Sequence, residues 1–429
     1  MTALAVRSFA LLLPLLATAA LWLAHPPSRR KAGAVYLATL WTIPSLLLVQ
    51  LLAQRFGWWS YRFVGGSLFG MPADLFLGWA LLWGAIPALL RWRLLYAIPL
   101  FALFDFVVMP LCAPVLILGE HWLRGEAVAM LIVLIPAQLL AAWTARDECL
   151  FGRVALQVVL FAGLIVAFLP ALILTLAGSA PRLVHLPWLL AQAAIVTAIL
   201  GLTAVQELAE RGGGTPFPYD PPKRLVESGV YAYIRNPMQL TTTLLFLILA
   251  AAMSNVWLAL IGVMSAVYAA GLAAWDEGAD LTERFGAAAG QYMTRVRSWI
   301  PSWRPRLAVG STIYFAEGCD ACSEMAGWIR MLRPLQLRFA AAETHPTLQL
   351  ERVRYEAPDG AAAEGIAAIA RALEHVHFGW ALIGFAARLP VARHVLQLIF
   401  DAAGGGRRPV QRLPRIASTL HGPGPAAEK

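Results

Sequence analysis

Two stretches of the chain contain residue types that bind charged groups. The first, residues 212–239, begins with glycines and prolines and ends with Arg235, Asn236 and Pro237. The prolines and glycines exclude a helix in its first half and predict a shaped, extended loop, whereas Asn236 and Pro237 are typical of a helix start. Arg235 is therefore expected beside a positive helix end, which suits an anion such as a carboxylate. Anchoring of that helix at lipid head groups is the alternative role for Arg235.

The second stretch carries acidic residues that the chain is expected to bring back to the same place. Two apolar segments flank a short turn at residues 254–255 and must run antiparallel, so Asp276 and Glu277 are expected to emerge near Arg235. An acid at the end of an apolar helix can pair with a basic residue or bind a cationic ligand. The apolar and aromatic positions from Leu281 onward suggest an amphipathic helix on the membrane interface, with a plain surface helix as the alternative.

Both stretches carry motifs of a known superfamily. The motif residues are Gly214-Thr215-Pro216-x-Pro218-x-Asp220-Pro221-Pro222, Leu225-Val226, Gly229-x-Tyr231, Arg235-Asn236-Pro237-Met238, Glu277, Leu281, Phe285-Gly286, Tyr292 and Trp299-Ile300-Pro301. In these residues, about 200–303 of the chain resembles the isoprenylcysteine carboxyl methyltransferase and phospholipid methyltransferase superfamily. The chain departs from the family pattern at Gln239 and Ala289, where a Tyr is usual, and at Gly278, where a second acid is usual.

The resemblance implies a function and a site. Such proteins bind S-adenosylmethionine in a cytoplasm-facing pocket and methylate lipidic or membrane-embedded acceptors. Carried over position by position, the cofactor contacts are Arg235, Asn236, Pro237 and Glu277, and the residues lining the pocket are Leu225, Val226, Gly229 and Tyr231. Methyl transfer from a sulfonium is an in-line displacement that depends mainly on positioning, so no metal is expected.

A third set of reactive residues lies near the C-terminus. Cys319 and Cys322 follow a short predicted strand at 312–315 and open a predicted helix that runs to about Leu332. A CxxC pair between strand and helix is typical of redox motifs, and the helix N-terminus favours the thiolate of Cys319. A zinc site is the alternative, but the nearby histidines form no recognised ligand spacing. Further strands are predicted at 335–341 and 350–356, and helices at 361–376 and 378–402.

This C-terminal region also resembles a family. Cys319 and Cys322 after Tyr314-Phe315, supported by Trp380 and Leu389-Pro390, are similar to DCC thiol–disulfide oxidoreductase-like domains over about residues 310–408. The resemblance implies a thioredoxin-like fold, a redox role for the two cysteines and a thiol redox partner. The Asp that the family has three residues before the first Cys is Ala316 here.

Composition indicates that membrane-spanning helices must position these motifs. The chain has 429 residues, 59% hydrophobic and 14% charged, against about 25% charged in soluble chains. Apolar runs of about 20 residues cross a bilayer, and nine such spans are predicted. Their ranges are 5–24, 33–53, 68–90, 94–118, 126–143, 154–177, 184–206, 238–254 and 256–275. The first span is expected to be a retained anchor, with a signal peptide as the alternative.

The distribution of basic residues predicts the orientation. Lys and Arg are more frequent in the loops after the first, third, fifth and seventh predicted spans than on the opposite side. The positive-inside rule therefore places the loop at 207–237, and the C-terminal region after it, in the cytoplasm, as expected for a bacterial-type inner or plasma membrane. The formal net charge of +9 then indicates attraction to the lipid bilayer's cytoplasmic leaflet, and no nucleic-acid partner is expected.

The predicted fold class is an all-α polytopic membrane bundle followed by a small α/β thioredoxin-like domain. Four domains are predicted. They are 1–190, transmembrane helices of unknown role; 191–305, methyltransferase-like; 308–403, the CxxC domain; and 404–429, a disordered tail.

Three other functions are compatible with the sequence. The protein can be a membrane-anchored thiol–disulfide oxidoreductase whose methyltransferase-like part is only an anchor or binding module. It can be a reductase of the sterol-reductase type, although no nicotinamide site is visible. The first seven spans can also bind or transport a ligand, with Asp74, Asp105 and Glu120 as the candidate acids. Asp105 lies mid-span, where an ionisable group is costly and usually functional, and pairing with a neighbouring Arg is the alternative.

Overall fold

The computed structural model describes residues 2–62, 65–179 and 188–407. Within these ranges, seven helices are long and apolar enough to cross a membrane. They are α1 (Ala3–Ala24), α2 (Arg29–Phe56), α3 (Ala73–Leu90), α4 (Leu94–Leu111), α5 (Trp122–Arg146), α6 (Leu150–Leu176) and α7 (Trp188–Gly212). Each overlaps one of the first seven predicted spans, which confirms the polytopic helical bundle. The predicted number of nine spans is wrong. Most of the tail predicted at 404–429 lies outside the described residues.

The last two predicted spans are shorter helices, α8 (Pro237–Met253) and α9 (Val256–Gly271). The 17 residues of α8 rise about 26 Å at about 1.5 Å per residue, which is less than the roughly 30 Å core of a bilayer. Between the helices, Asn255 Oδ1 accepts hydrogen bonds from the backbone N–H groups of Trp257 (3.0 Å) and Leu258 (3.2 Å). This cap starts α9 directly after the turn, so α8 and α9 pack as a short hairpin.

The helix α2 forms the centre of the bundle. It packs against α3 and α5, and the indole of Trp41 donates a 3.0 Å hydrogen bond to the carbonyl of Ile132 in α5. The apolar 18-residue stretch of α2 is 56% buried, whereas the corresponding stretch of α1 is 11% buried. The helix α1 is therefore peripheral, and Arg7 ties it to α3 through a 2.6 Å ion pair with Asp74.

Two short strand pairs lie at one end of this bundle. β1 (Trp59–Tyr61) pairs antiparallel with β4 (Leu116–Leu118), and β2 (Ser67–Leu68) pairs with β3 (Met71–Pro72). These strands belong to the connections from α2 to α3 and from α4 to α5. Both connections therefore lie at the end of the bundle where α2 finishes.

Residue contacts divide the chain into two compact units. The first unit comprises Met1–Val226 and Asn236–Thr294, and the second comprises Glu227–Arg235 and the chain from Arg295 onward. After α9, the chain forms α10 (Ala274–Phe285) and α11 (Ala287–Arg295). Tyr292 of α11 is buried, so this aromatic residue does not face lipid as the amphipathic pattern suggested. The functional identities of the four predicted domains stay predictions.

The second unit contains a four-stranded mixed sheet with the order β6-β5-β7-β8. The strands are β5 (Ser311–Phe315), β6 (Leu337–Ala341), β7 (Arg354–Glu356) and β8 (Ala362–Glu364). β5 and β6 are parallel, and β7 runs antiparallel to both β5 and β8. Four helices accompany the sheet: α12 (Asp320–Met331), α13 (Ile366–Leu373), α14 (Phe378–Arg388) and α15 (Pro390–Phe400).

The helices predicted near the C-terminus differ from those observed. The range predicted as a helix from 361 begins with the strand β8, and α13 starts only at Ile366. The single helix predicted at 378–402 is two helices with a 91° bend between them. Pro390 begins the second of these helices, and a proline ring cannot continue a preceding helix without losing a backbone hydrogen bond.

A buried histidine links three elements of this sheet domain. His375 Nδ1 lies 2.8 Å from the carbonyl of Leu335, and Nε2 lies 2.9 Å from the hydroxyl of Tyr355 on β7. The carbonyl can only accept a hydrogen bond, so Nδ1 carries the proton and Nε2 is the unprotonated nitrogen of the neutral ring. The hydroxyl of Tyr355 also lies 2.8 Å from Oγ of Ser311. Burial, with the nearby charge of Arg371, lowers the pKa of His375 to about 4, although the hydrogen bond to Leu335 acts in the opposite direction.

This pKa predicts that the second unit loses stability in mild acid. An ordinary His has a pKa of about 6.5, so below that pH the unfolded chain takes up a proton that the folded chain takes up only near pH 4. Stability is therefore complete above about pH 6.5 and falls by up to about 3 kcal/mol as the pH drops towards 4. Hydrogen exchange of residues 353–376 in the full chain will show this as a loss of protection in acid. A His375→Gln variant should lack this pH dependence, and equal profiles in both proteins would contradict the assignment.

Candidate functional site

The loop after α7 is folded tightly on itself. The backbone N–H of Thr215 donates to the carbonyl of Asp220 (2.9 Å), and that of Lys223 donates to the carbonyl of Gly212 (2.7 Å). A Cβ at Gly214 would lie 2.4 Å from Cα of Pro222. The double proline therefore packs directly on backbone, and only glycine fits opposite it.

Five charged side chains in the first unit fix this loop to the helices, and we call them the Asp220 cluster. They are Arg30 of α2, Asp147 between α5 and α6, Arg153 of α6, and Asp220 and Lys223 of the loop. Asp220 lies 2.7 Å from Arg30 and 2.9 Å from Arg153, and Asp147 lies 2.7 Å from Arg30, 2.9 Å from Arg153 and 2.6 Å from Lys223. Side-chain exposure is 1% for Arg153 and 3% for Asp220, so water does little to screen this pair.

The two carboxyl groups of the cluster differ in their pKa. Burial raises the pKa of Asp220 above its ordinary value, although Arg153 and Arg30 act to lower it. Burial also acts upward on Asp147, but hydrogen bonds from Lys223, Arg30 and Arg153 together hold the pKa of Asp147 well below its usual range. Asp147 is therefore a fixed negative charge, and the two arginines offset part of the cost of burying Asp220.

The start of α8 and the residue Glu277 come together within the first unit. Pro237 is the first residue of α8, as predicted, and Asn236 is the preceding cap residue, although its side chain makes no cap hydrogen bond to the helix. The amide of Gln239 donates a 3.3 Å hydrogen bond to Glu277 Oε2. Gln239 is one of the positions where the chain departs from the superfamily pattern, so the departing residue contacts the acid that the pattern assigns to the cofactor.

An arginine that sequence reasoning missed connects α10 to the loop. Arg284 donates to the carbonyl of Pro222 and pairs with Asp280 at 3.0 Å. Val226, a predicted lining residue, is buried, whereas Leu225 is half-buried. Glu277 and Arg284 are both on α10, so the helix that carries the predicted acid is fixed to the proline-rich loop.

The segment between these residues, Glu227–Arg235, belongs to the second unit. Gly229 has a φ of 61° and opens a short 3-10 helix, Gly229–Ala232, in which Tyr231 is buried. The positive φ explains why glycine stands at this position. The backbone N–H of Arg235 donates to the carbonyl of Arg297 (2.9 Å), and its guanidinium donates to the hydroxyl of Ser298.

A buried tyrosine holds this segment in the second unit. The hydroxyl of Tyr233 donates a 2.7 Å hydrogen bond to the carbonyl of Glu374, and its ring packs against Phe378 and Phe385. The backbone N–H of Ser302 donates to the carbonyl of Tyr233 (2.9 Å). The predicted cofactor-site residues thus belong to two units. Leu225, Val226, Asn236, Pro237 and Glu277 are in the first, and Gly229, Tyr231 and Arg235 are in the second.

Two further charged residues near the motifs were missed by sequence reasoning. Glu207 and Arg211 lie one turn apart at the end of α7, 3.8 Å from each other, with side-chain exposures of 0% and 7%. A π-helical segment, Leu208–Gly212, ends the helix here. An acid and a base four residues apart at the end of an apolar span were the signal that could have revealed them.

The two C-terminal cysteines have the predicted local geometry. Cys319 is the N-cap residue of α12, and its Sγ accepts a 3.4 Å hydrogen bond from the backbone N–H of Cys322. Cys319 is buried and Cys322 is half-buried. β5 precedes the pair and α12 follows it, so the strand–CxxC–helix order predicted from the sequence is observed.

The motif residues of the loop and of α8 and α10 fall within one match to a known family. Residues 189–288 match the phospholipid methyltransferase family. The matched range contains Arg235, Asn236, Pro237 and Glu277. With the seven apolar helices, the match indicates a membrane methyltransferase region within this chain. The chain matches no curated protein and no solved structure.

The Asp220 cluster predicts a specific cost for losing one carboxylate. Asp220→Asn removes the charge that faces Arg153, and breaking a buried ion pair in this way costs about 3 kcal/mol. The variant should melt at a lower temperature in detergent and show faster hydrogen exchange in residues 213–224. The matched control is Glu148→Gln, whose exposed pair with Arg146 spans 3.8 Å and is worth about 0–1 kcal/mol. Equal effects of both substitutions would show that the cluster does not hold the loop.

Proposed function

We propose that this protein is an integral membrane methyltransferase that uses S-adenosylmethionine and acts on a lipidic or membrane-embedded acceptor. The observation that carries the proposal is the phospholipid methyltransferase match over residues 189–288, which includes the first motif stretch and the second as far as Phe285-Gly286. The proposal places this region at the cytoplasmic face, where the basic loops of the sequence point. An isoprenylcysteine carboxyl methyltransferase-like activity is the finer form of this proposal.

The residues assigned to the cofactor suit its charges. S-adenosylmethionine carries a carboxylate, an ammonium group and ribose hydroxyls, which call for a cation and for acceptors. In the proposed site, the guanidinium of Arg235 holds the carboxylate, and Glu277 holds the ammonium or ribose. Gln239, through its 3.3 Å hydrogen bond to Glu277, orients that carboxylate. Leu225, Val226, Gly229 and Tyr231 supply apolar lining, and three of them are buried (Val226, Gly229 and Tyr231).

The chemistry requires mainly positioning from the protein. Bound S-adenosylmethionine supplies an electrophilic methyl group, which forms a bond to the acceptor as its bond to sulfur breaks and the sulfonium becomes a neutral thioether. The protein has to hold the two reacting atoms in line and exclude water. The Asp220 cluster and the contact of Arg284 with Pro222 fix the loop and α10 for this purpose. A membrane bundle also keeps a lipidic acceptor within reach without extracting it from the bilayer.

Cofactor binding by the full chain in detergent tests the proposal. Isothermal titration calorimetry should show saturable binding of S-adenosylmethionine that weakens at least tenfold in Arg235→Ala and in Glu277→Gln, because each substitution removes a charged hydrogen bond worth about 1.5–3 kcal/mol. Matched controls are Arg224→Ala, on the same loop, and Glu283→Gln, on the same helix, whose side chains are exposed. Neither control should change the affinity.

The outcomes separate the hypotheses. Binding that survives in both site variants would show that other residues bind the cofactor. An absence of binding to folded wild-type protein would overturn the methyltransferase proposal and bring forward the alternative that this region is an anchor.

The second unit supports a second candidate function, a fused thiol–disulfide oxidoreductase-like domain of thioredoxin-like fold that exchanges disulfides with a thiol partner. The observation that favours it is the position of Cys319 at the N-terminus of α12, where the backbone N–H of Cys322 donates to its sulfur. Such a donor and the helix dipole both stabilise a thiolate. The order of parallel β5 and β6 followed by antiparallel β7 and β8 places the pair at the end of a central strand.

A redox titration tests this second function. The full chain is equilibrated with glutathione buffers, and maleimide labelling counts its free thiols. Oxidation should join Cys319 and Cys322, with two protons and two electrons passing to glutathione disulfide, at a midpoint between about −270 and −120 mV. Cys319→Ser and Cys322→Ser should abolish the transition, and Cys149→Ser, at an exposed cysteine, should leave it unchanged. A pair that stays reduced throughout this range would contradict an oxidoreductase role.

A further inference from the structure

A second polar site lies inside the first unit, at the opposite end of the helices from the Asp220 cluster. Arg30 donates a 2.7 Å hydrogen bond to the carbonyl of Thr144, so the start of α2 meets the end of α5. Gln50 lies about twenty residues further along α2, which is about 30 Å at 1.5 Å per residue. Glu126 lies near the start of α5, and a similar distance along that helix separates it from Thr144. One bilayer thickness therefore separates Gln50 and Glu126 from the Asp220 cluster.

A cavity of about 40 Å³ lies between these helix ends, and we call it the Glu126 cavity. Its polar lining residues include Gln50 and Glu126, and its aromatic lining consists of three indoles and a phenol. These aromatic residues are Trp59, Trp79, Trp83 and Tyr61. A water molecule needs about 10–15 Å³ of such volume, so the cavity accommodates about three non-hydrogen atoms.

Two carboxyl groups beside this cavity have no counter-charge among the residues that the structure describes. Asp105 is 0% exposed and Glu126 is 7% exposed. Asp105 interacts electrostatically with Glu126, the indole of Trp83 and the thiol of Cys112. Within the described ranges, neither oxygen of Asp105, nor Oε1 of Glu126, nor Nε1 of Trp83 has a partner in hydrogen-bond geometry. Among the residues that the structure describes, no Arg pairs with Asp105, which contradicts the alternative of an Arg partner for this part of the chain.

Burying acids in a membrane bundle without a counter-charge is costly, and such residues are usually functional. A cation in the cavity would supply the missing charge to Glu126. Aromatic faces attract organic ammonium groups through the ring quadrupole, whereas a metal ion requires several oxygen, nitrogen or sulfur ligands. Over the part of the chain that the structure describes, no group of three or more His, Cys, Asp or Glu is placed to hold a metal ion.

We propose that the Glu126 cavity binds the ammonium group of a small primary amine, with Glu126 as its counter-ion and Trp59, Trp79 and Trp83 around it. The volume suits an ammonium with two carbons and excludes a trimethylammonium group. This chemistry is shared by free alkylamines and by the head group of an aminoethyl phospholipid. The site lies across the bilayer from the methyltransferase motifs, so its occupation is independent of methyl transfer.

Calorimetry on the full chain in detergent tests the proposal, with ethylammonium chloride as the probe. A ligand of three non-hydrogen atoms binds no tighter than about millimolar, and saturable binding in this range is expected. Glu126→Gln keeps the shape but removes the charge and should weaken binding at least tenfold. The matched control, Glu120→Gln, changes an exposed acid on the same face and should bind like wild type. Choline and potassium chloride should not compete.

Nanodiscs distinguish the two sources of the amine. Loss of ethylammonium binding in phosphatidylethanolamine discs, with binding kept in phosphatidylglycerol discs, would identify a lipid head group as the occupant. Binding in both would identify a free amine. Absence of binding to folded wild-type protein, or equal binding in Glu126→Gln, would overturn the proposal. The Glu126→Gln protein should still bind S-adenosylmethionine with the wild-type affinity. A failure of the amine-binding proposal can therefore be distinguished from a failure of the methyltransferase proposal.

Discussion

The structure of the first unit depends on the burial of Asp220 between two arginines. Asp220 belongs to a loop of glycines and prolines that has no regular secondary structure to hold it in place, and Arg30 and Arg153 supply that restraint. Arg30 comes from the first turn of α2 and Arg153 from α6, so one carboxylate fixes the loop to two different spans. Asp147 shares both arginines, which keeps the cluster close to neutral and reduces the desolvation cost that an isolated buried ion pair would carry.

Part of this architecture could be predicted because it follows from local sequence. Seven spans were located by apolar length alone, and Pro237 marked a helix start because it lacks a backbone N–H and has a fixed φ. The failures have local causes as well. The segment 238–254 was predicted as a full span although its 17 residues are fewer than the roughly 20 that a bilayer core requires, and α8 keeps this length of 17 residues. The strand β8 consists of Ala362, Ala363 and Glu364, which favour helices, and only its pairing with β7 makes it a strand.

For the candidate site, the sequence reveals which residues belong to it but not which contacts they make. Arg235, Asn236, Pro237 and Glu277 were identified as a set because their spacing is a family pattern, not because their contacts could be derived. The contact of Gln239 with Glu277 and that of Arg284 with Pro222 join residues 38 and 62 positions apart. No periodicity encodes such pairs. A single-sequence argument can therefore name the residues of this site, but the partner that orients each of them comes only from the fold.

The two ends of the bundle differ in how their buried charges are compensated. At the Asp220 cluster, three basic side chains surround two acids, so the burial of charge is compensated within the protein. At the Glu126 cavity, two acids are buried among aromatic rings and the compensation has to come from a proton or a ligand. A shared proton would neutralise one of the two carboxyl groups, but it would leave the other as a carboxylate without a counter-charge. A cation seated on the aromatic faces neutralises the remaining charge, and this difference in compensation distinguishes a ligand site from the structural cluster that holds the loop.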